Sequence, residues 1–516
     1  MDRTETLGAD LAMTTATATE TATATVTPPK APPMEVPQPE TLSPASTEVD
    51  KPGRPAARPR PRPRATESLF RVVWRWHFYA GMIIAPVLIM MSVTGGLYIF
   101  RSEIEEFAKS DLLYVTPKST AQRVSYQAQV DAAVDAHPGF VPSQLQIHND
   151  PRRATLINLR PAALKDKPPS HENARRSITV AVNPYDGKVR GSFRADAALN
   201  TFFVTVLTIH RTLWAGTTGR ILTELTTSWS FVLIITGVYL WWPRKKAKAA
   251  GVWTIRWKTK LYTRLRDLHS VGGFYLIPVC GLIVATGMFY TLAVGTAVHK
   301  AAEAWVGHAP EARPSPKTRA ARKAPAPAAN ALPLDQLVAV VKAEYPDRLL
   351  FVALGPGGRR GARQRPENSL QISAGNDFNR TYGPIVSTEV SLDKSTGRVL
   401  KRTKNSEEAF FWHAWTYPLH VGSFWGIWTK VLWFIACVVL TVLPITGLWM
   451  WWERRPRGQA GLPRRPDVRV PRWLAVLIVA LSVILPILGA SLVAILMGEG
   501  VVSLVRRFRR PIAGAA

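Results

Sequence analysis

The sequence predicts an α-helical membrane protein. It is read as two repeats of helix, α+β loop domain and helix, with the four helices forming one bundle and a fifth span near the C-terminus. Two observations predict this. Several apolar runs are long enough to cross a bilayer, which takes about 20 helical residues. The chain also repeats itself. His77 is followed by Gly81, Pro86, Thr94-Gly95 and Tyr98, and His269 by Gly273, Pro278, Thr286-Gly287 and Tyr290, at identical spacing. His210 is followed by Gly216, Arg220, Thr236-Gly237 and Trp241-Trp242, and His420 by Gly426, Lys430, Thr446-Gly447 and Trp451-Trp452, again at identical spacing. A repeat of this kind decides architecture before local propensity does.

Residues 1–66 are rich in Thr, Ala and Pro and end in an alternating Arg-Pro run, so they are expected to be a disordered basic cytoplasmic tail. No apolar run follows Met1, so no cleaved signal peptide is read there. The first span covers 67–101, and Arg71 and Arg75 put its entry on the cytoplasmic side. Residues 102–196 form the first loop domain, outside the cytoplasm. It carries a helical stretch at 125–137, β-type runs at 145–148, 155–159 and 178–182, and the turn Asn183-Pro184-Tyr185-Asp186-Gly187.

Residues 197–243 hold an interfacial helix bearing His210, a break at Gly216 to Gly219, and the second span. That span ends in Trp241-Trp242-Pro243, and the basic loop 244–268 keeps its exit cytoplasmic. The third span is 269–297. Residues 298–405 contain a Pro/Ala/Lys/Arg linker at 310–330 and the second loop domain, with a helix at 334–345. Residues 406–453 repeat the interfacial helix and span, with a break expected at Tyr417-Pro418. A cytoplasmic loop, 454–472, leads to the apolar run 473–498, which has no repeat mate and is read as the fifth span, and a basic tail covers 499–516. A re-entrant hairpin bent at Pro486 is the competing reading. A fifth crossing would leave Arg506, Arg507, Arg509 and Arg510 outside, against the charge rule.

The formal net charge of +29 could serve nucleic acid or membrane flanks. The basic residues lie beside the apolar runs, so the expected partner is the lipid bilayer and not nucleic acid. The two cysteines, Cys280 and Cys437, lie within apolar runs and are read as packing residues. No Cys-x-x-Cys-His haem-attachment motif occurs.

The chemistry is read from four histidines. His77 and His269 fall at the cytoplasmic ends of spans one and three, and His210 and His420 at the opposite ends of spans two and four. A parallel repeat carries a pseudo-two-fold axis along the membrane normal, which brings each histidine to its mate. Two histidines facing across a bundle can ligate one haem iron axially, so the arrangement offers two bis-His sites, one near each face. Gly237 and Gly447 fall at the level of the first site, and Gly95 and Gly287 at the level of the second. Glycine there gives a porphyrin wall space, although close helix packing uses glycine too. Zinc is less consistent, since no cluster of three ligands is visible. His413 has no repeat mate, because Phe203 occupies the matching position. His137, His148, His171, His299 and His308 are read as loop residues. Trp412, Trp415, Trp425 and Trp428 are read as an interfacial belt in preference to a substrate platform.

As a set, these motifs resemble those of PepSY-associated transmembrane proteins, which include iron-regulated membrane proteins and periplasmic ferric-siderophore reductases. The motifs are the His…Pro…Thr-Gly helix, the Ile209-His210-Arg211 entry, the Thr-Gly-x-x-x-Trp-Trp-Pro exit and the Asp186-Gly187-Lys188-Val189 turn. The resemblance covers about residues 68–455. It implies PepSY-like domains in both loops, haem b on His77, His269, His210 and His420, and iron reduction outside the cytoplasm of a bacterial inner membrane. The implied reaction is one-electron reduction of a ferric siderophore or other ferric chelate, with no acid–base catalytic residue. No dinucleotide fingerprint is present, so the electron donor is expected to be quinol or a separate dehydrogenase. Two other readings stand beside it. One is a non-enzymatic membrane-anchored PepSY binding or regulatory module. The other is an iron-chelate transport component, which the scarcity of charge at mid-depth disfavours.

Overall fold

The computed structural model describes residues 65–117, 123–164, 176–194, 197–243, 249–306, 331–355, 368–376, 385–404, 414–459, 461–463 and 471–508. The tail before 65, the 310–330 linker, His171, His308, Trp412, His413, Arg509 and Arg510 lie outside them.

Four helices are long and apolar enough to span a membrane: Leu69–Ile99, Gly216–Trp241, Leu261–Met288 and Ile427–Arg454. The first lies within α1 (Ala65–Ile99). At about 1.5 Å per residue, α1 exceeds the thickness of a hydrocarbon core. Pro86 is accommodated inside it, as prolines are in bilayer helices packed against neighbours. Two short helices, α2 (Arg101–Ala108) and α3 (Ser110–Leu113), lead out of it.

Helix α4 (Tyr126–Asp135) begins where the Ser125 side chain accepts from the Ala128 N–H. Four antiparallel strands follow, β1 (Phe140–Ile147), β2 (Thr155–Pro161), β3 (Ile178–Val182) and β4 (Val189–Arg194). The turn before β4 uses Gly187 at φ 71°, with the Asn183 carboxamide oxygen accepting from the Tyr185 N–H.

The amphipathic α5 (Ala198–Thr212) then leads to α6 (Gly216–Trp241). The reversal between them runs through Leu213 and Trp214, at φ 48° and 59°, into Gly216 at φ 54°, so it begins just before the break expected at the glycines and includes the first of them. Gly219 has a different duty. A Cβ there would lie 1.6 Å from the Thr212 carbonyl oxygen, so only glycine lets α6 pass the end of α5. The hydroxyls of Thr227 and Ser230 in α6 are buried, and each donates to the carbonyl four residues back at 2.8 Å. Those two donors are thereby satisfied within the helix.

The third long helix consists of α7 (Leu261–Asp267), a π turn (Leu268–Gly272) and α8 (Gly273–Met288), followed by α9 (Ala293–Val306). Glu224 of α6 is fully buried and accepts from the Ala293 and Val294 N–H groups at 2.7 and 3.1 Å. It therefore caps α9, with carboxylate charge matched to a helix N-terminus.

The second loop supplies α10 (Leu334–Glu344) and strands β5 (Leu349–Ala353), β6 (Ser369–Gly375), β7 (Ser387–Asp393) and β8 (Val399–Lys404). The two loops do not make two separate sheets. β1 pairs antiparallel with β5, giving one eight-stranded sheet in the order β4-β3-β2-β1-β5-β6-β7-β8. α4 and α10 cover one face together. Val130, Ala133, Val338 and Val341 pack there on Leu145, Ile157, Val352 and Ile372. Asp335 at the start of α10 accepts from the Tyr126 N–H at the start of α4, at 2.9 and 3.1 Å, tying the two loops at their helices too.

The chain returns through α11 (Thr416–Val421) to α12 (Ile427–Arg454). Pro418 sits in the first turn of α11, where its missing N–H costs nothing, so it does not break the helix as expected. Among the long helices, α1 packs on α6 and α12, and α8 packs on the same two.

The run read as a fifth span is two helices, α13 (Arg472–Ile484) and α14 (Pro486–Phe508). The chain turns sharply at Leu485. A Cβ on Gly489 would lie 2.7 Å from the Ser482 carbonyl oxygen, an approach that a straight helix does not permit. Leu485 and Leu488 at the bend bury against Met288, Trp229 and Val294, and Trp229 Nε1 donates to Ser491 Oγ at 3.2 Å. The physical cause of the break is Pro486, which removes a helical donor and restricts the residue before it.

Candidate functional site

The four repeat-matched histidines meet in two pairs. His77, in the regular part of α1, faces His269, in the π turn, with ring centroids 6.2 Å apart and planes at 81°. His210, in the last turn of α5, faces His420, in the last turn of α11, at 6.3 Å and 55°. The elements positioning them differ, but the separations are nearly equal.

A Thr-Gly pair holds each imidazole. His77 Nδ1 lies 2.9 Å from Thr236 Oγ1, and Gly237 sits against the ring. His210 Nδ1 lies 2.9 Å from the Met91 carbonyl oxygen and 3.2 Å from Thr94 Oγ1, with Gly95 beneath. His269 Nδ1 lies 2.9 Å from the Leu443 carbonyl and 3.1 Å from Thr446 Oγ1, with Gly447 beneath. His420 Nδ1 lies 3.1 Å from the Ile283 carbonyl and 3.3 Å from Thr286 Oγ1, with Gly287 beneath.

These contacts fix the tautomer. Each threonine hydroxyl donates to the carbonyl four residues back: Thr94 to Met90 and Thr236 to Val232 at 2.6 Å, Thr286 to Leu282 at 2.6 Å, and Thr446 to Val442 at 2.9 Å. With its proton committed, the threonine oxygen can only accept from the imidazole, and a backbone carbonyl can only accept as well. Nδ1 therefore carries the proton in all four rings, and Nε2 is left as the lone-pair nitrogen. Among the described residues no hydrogen bond is made to any of the four Nε2 atoms. This is how a protein prepares a histidine to bind a metal.

The His77–His269 pair opens into a cavity of ≈ 610 Å³ between α1, α6, α8 and α12. Its walls are mainly apolar and aromatic, with Gly81, Gly237, Gly273 and Gly447 among them. Ligand sites commonly fall in this size range and have this character.

The arrangement fits haem on two counts. An imidazole ligating a first-row metal holds its nitrogen about 2 Å from the ion, so two rings flanking one ion have centroids roughly 6 Å apart. Both pairs stand at that separation. Gly81, Gly237, Gly273 and Gly447 leave room in the wall of the cavity at His77 and His269. A zinc site fits less well, because no group of three or more His, Cys, Asp or Glu side chains gathers among the described residues.

The glycines yield a graded expectation. A Cβ at Gly95 or Gly287 would meet the imidazole Cε1 at 3.2 or 3.1 Å, whereas at Gly237 or Gly447 it would stand at 3.5 Å. Gly95→Ala and Gly287→Ala should displace His210 and His420 and lower haem occupancy at that pair. Gly237→Ala and Gly447→Ala should leave occupancy near wild type. Haem content per chain, measured by pyridine haemochrome, checks this, and equal losses in all four variants would refute it.

Sequence reasoning proposed the eight histidines and glycines but gave the threonines no place beside the imidazoles. The repeat carried that signal, since each matched glycine has a threonine before it. The burial of three charged side chains also escaped notice: Glu224, Asp267 and Lys430, whose Nζ lies 2.6 Å from Glu103 Oε1. Of the matched tyrosines, Tyr290 lies beside the second pair, its ring 5.6 Å from His420, while Tyr98 OH accepts from Arg101 at 2.8 Å. Trp425 and Trp428 are exposed, and Cys280 and Cys437 are buried and free.

A family model described as the PepSY-associated TM region matches residues 74–454. No curated protein matches the chain.

Proposed function

The chain belongs to the PepSY-associated transmembrane family and is a membrane protein, and from that premise we propose that it is a haem-containing inner-membrane electron-transfer protein that reduces a ferric siderophore or another ferric chelate on the periplasmic side. The observation that carries this reading is the fourfold Thr-Gly bracket, which holds each imidazole by Nδ1 and leaves Nε2 without a hydrogen bond in two histidine pairs about 6 Å apart.

Haem b held by His77 with His269, and by His210 with His420, would supply one-electron iron chemistry near each membrane face. The residues of the chain do the rest. The threonines and carbonyls hold each imidazole in one tautomer and orientation, and the glycines keep room beside the rings. Leu, Ile, Trp and Phe side chains around the cavity keep water and competing donors away. The substrate's ferric iron is bound by hard oxygen donors, and one added electron weakens that binding. Quinol or a separate dehydrogenase supplies the electron.

In this reading the repeated helices form a two-repeat bundle with a cytoplasmic N-terminus, and the eight-stranded sheet lies in the periplasm above His210 and His420. The bend at Pro486 favours a re-entrant C-terminal hairpin, which keeps Arg506 and Arg507 on the cytoplasmic side with Arg472.

The test is an absorption spectrum of the detergent-purified protein, oxidised and dithionite-reduced, with haem quantified per chain. A Soret band and sharp reduced α and β bands, near about two haems per chain, are expected for bis-His ligation. A protein that stays colourless after haem supplementation during expression overturns the reading.

A further inference from the structure

The cavity at His77 and His269 has two arginines in its lining. Arg266 and Arg454 are the cationic side chains lining it, among walls otherwise apolar, aromatic or neutral. They come from two different helices, Arg266 from α7 and Arg454 from the last turn of α12. Neither is placed at random. Asp267, fully buried two residues before His269, accepts from Arg266 Nη2 at 3.0 Å, while its other oxygen is taken by Arg256 Nε at 2.7 Å. Arg454 lies over the Trp74 ring, its guanidinium carbon 4.6 Å from the centroid, and makes no hydrogen bond within the described residues. Stacking holds the plane of a guanidinium while leaving its edge donors free. Tyr262 and Ser270 add neutral polar groups to the same lining.

The geometry points to Arg266 and Arg454 as a two-residue oxyanion clamp for the propionate carboxylates of the haem bound by His77 and His269, an inference that rests on the haem reading above. The clamp sets which edge of the macrocycle faces the membrane surface. A carboxylate in a cavity with apolar walls needs a cation and hydrogen-bond donors, and arginine provides both in a planar fork. Without the clamp, the two imidazoles fix the iron but not the rotation of the ring about the axis between them. Both arginines are positioning residues, since neither is placed to reach the iron. Phosphate headgroups of anionic lipid present the same oxyanion chemistry at the same surface, so the test separates the two sources.

Full-length wild-type protein, Arg454→Gln, Arg266→Gln, the double variant and Arg454→Lys are purified in detergent and placed in nanodiscs with and without phosphatidylglycerol. Two quantities are read: the rate of haem transfer to excess apomyoglobin, and the midpoint potentials of the two haems in a redox titration. A lost charged hydrogen bond is worth on the order of a tenfold change in an equilibrium. The double variant should release one haem about tenfold faster or more, and the midpoint of that haem alone should fall, in both nanodisc types. Arg454→Lys should recover part of the loss. The haem at His210 and His420 serves as the internal measure of folding.

Unchanged release and unchanged midpoints in a variant that still carries both haems overturn the clamp and leave the haem reading intact. A variant effect seen only with phosphatidylglycerol assigns the arginines to lipid phosphate and also overturns the clamp. A wild-type protein without haem overturns the reading and the clamp together.

Discussion

Alanine at His77 or at His269 should remove the same one of two haems, and alanine at His210 or His420 should remove the other. Each pair has ring centroids just over 6 Å apart, and each ring keeps one nitrogen, Nε2, out of the hydrogen bonds that hold it. Removing one imidazole takes away half the axial ligation and leaves a hole beside a glycine. Haem content should fall from about two per chain to about one in every single variant, with the low-spin reduced bands of one site lost. The pattern of doubles is the sharper test. Residues that act as a unit are non-additive, so His77→Ala with His269→Ala should be no worse than either alone. His77→Ala with His210→Ala should leave almost no haem. Ferric-chelate reduction should be abolished in all four singles, because each breaks the only proposed route across the membrane. If His77→Ala and His269→Ala removed different bands, the pairing described here would be wrong.

Much of this site was legible in the sequence, because it depends on spacing. Two helices that carry the same residues at the same offsets have to present them at the same depth, so the histidines and glycines sorted into levels before any coordinates. What spacing could not reveal was partnership between backbone atoms. The Met91, Ile283 and Leu443 carbonyls that hold the imidazoles leave no mark on residue type. The same limit hid Glu224, whose partners are the N–H groups of Ala293 and Val294. The π turn at His269 has no composition signal, and its repeat mate His77 sits in ordinary helix.

The sheet was legible only in halves. Alternation identified strands within each loop, but β1 and β5 are about 200 residues apart in sequence, and pairing over that distance is a tertiary choice that local pattern does not encode. The C-terminal run shows the opposite case. Pro486 was visible and was weighed as a bend, yet an unbroken apolar stretch favoured a single span. The proline prevailed because the residues around it, Leu485 and Leu488, find buried partners on α6, α8 and α9 only when the chain turns.

The threonines supply the second large effect. Thr236→Val should damage its site more than Thr94→Val, Thr286→Val or Thr446→Val damage theirs. At His210, His269 and His420 a backbone carbonyl within 2.9 to 3.1 Å remains after the hydroxyl is gone. At His77 the Thr236 oxygen is the acceptor found for Nδ1, so valine leaves that N–H buried and unmet. The imidazole can then rotate, or transfer its proton to Nε2 and lose the ligating lone pair. Loss of a group that orients a metal-binding histidine typically weakens metal binding about 10- to 100-fold. Valine keeps the shape of threonine, so packing between α1 and α6 is preserved and the effect reports the hydrogen bond. The readouts are haem retention under competition with apomyoglobin and the midpoint potential of the His77–His269 haem. Thr236→Ser, which restores the acceptor without the methyl group, should recover most of the retention. Equal effects in all four valine variants would mean that the carbonyls contribute nothing, and an unaffected Thr236→Val would show that the tautomer of His77 is set by something other than this bond.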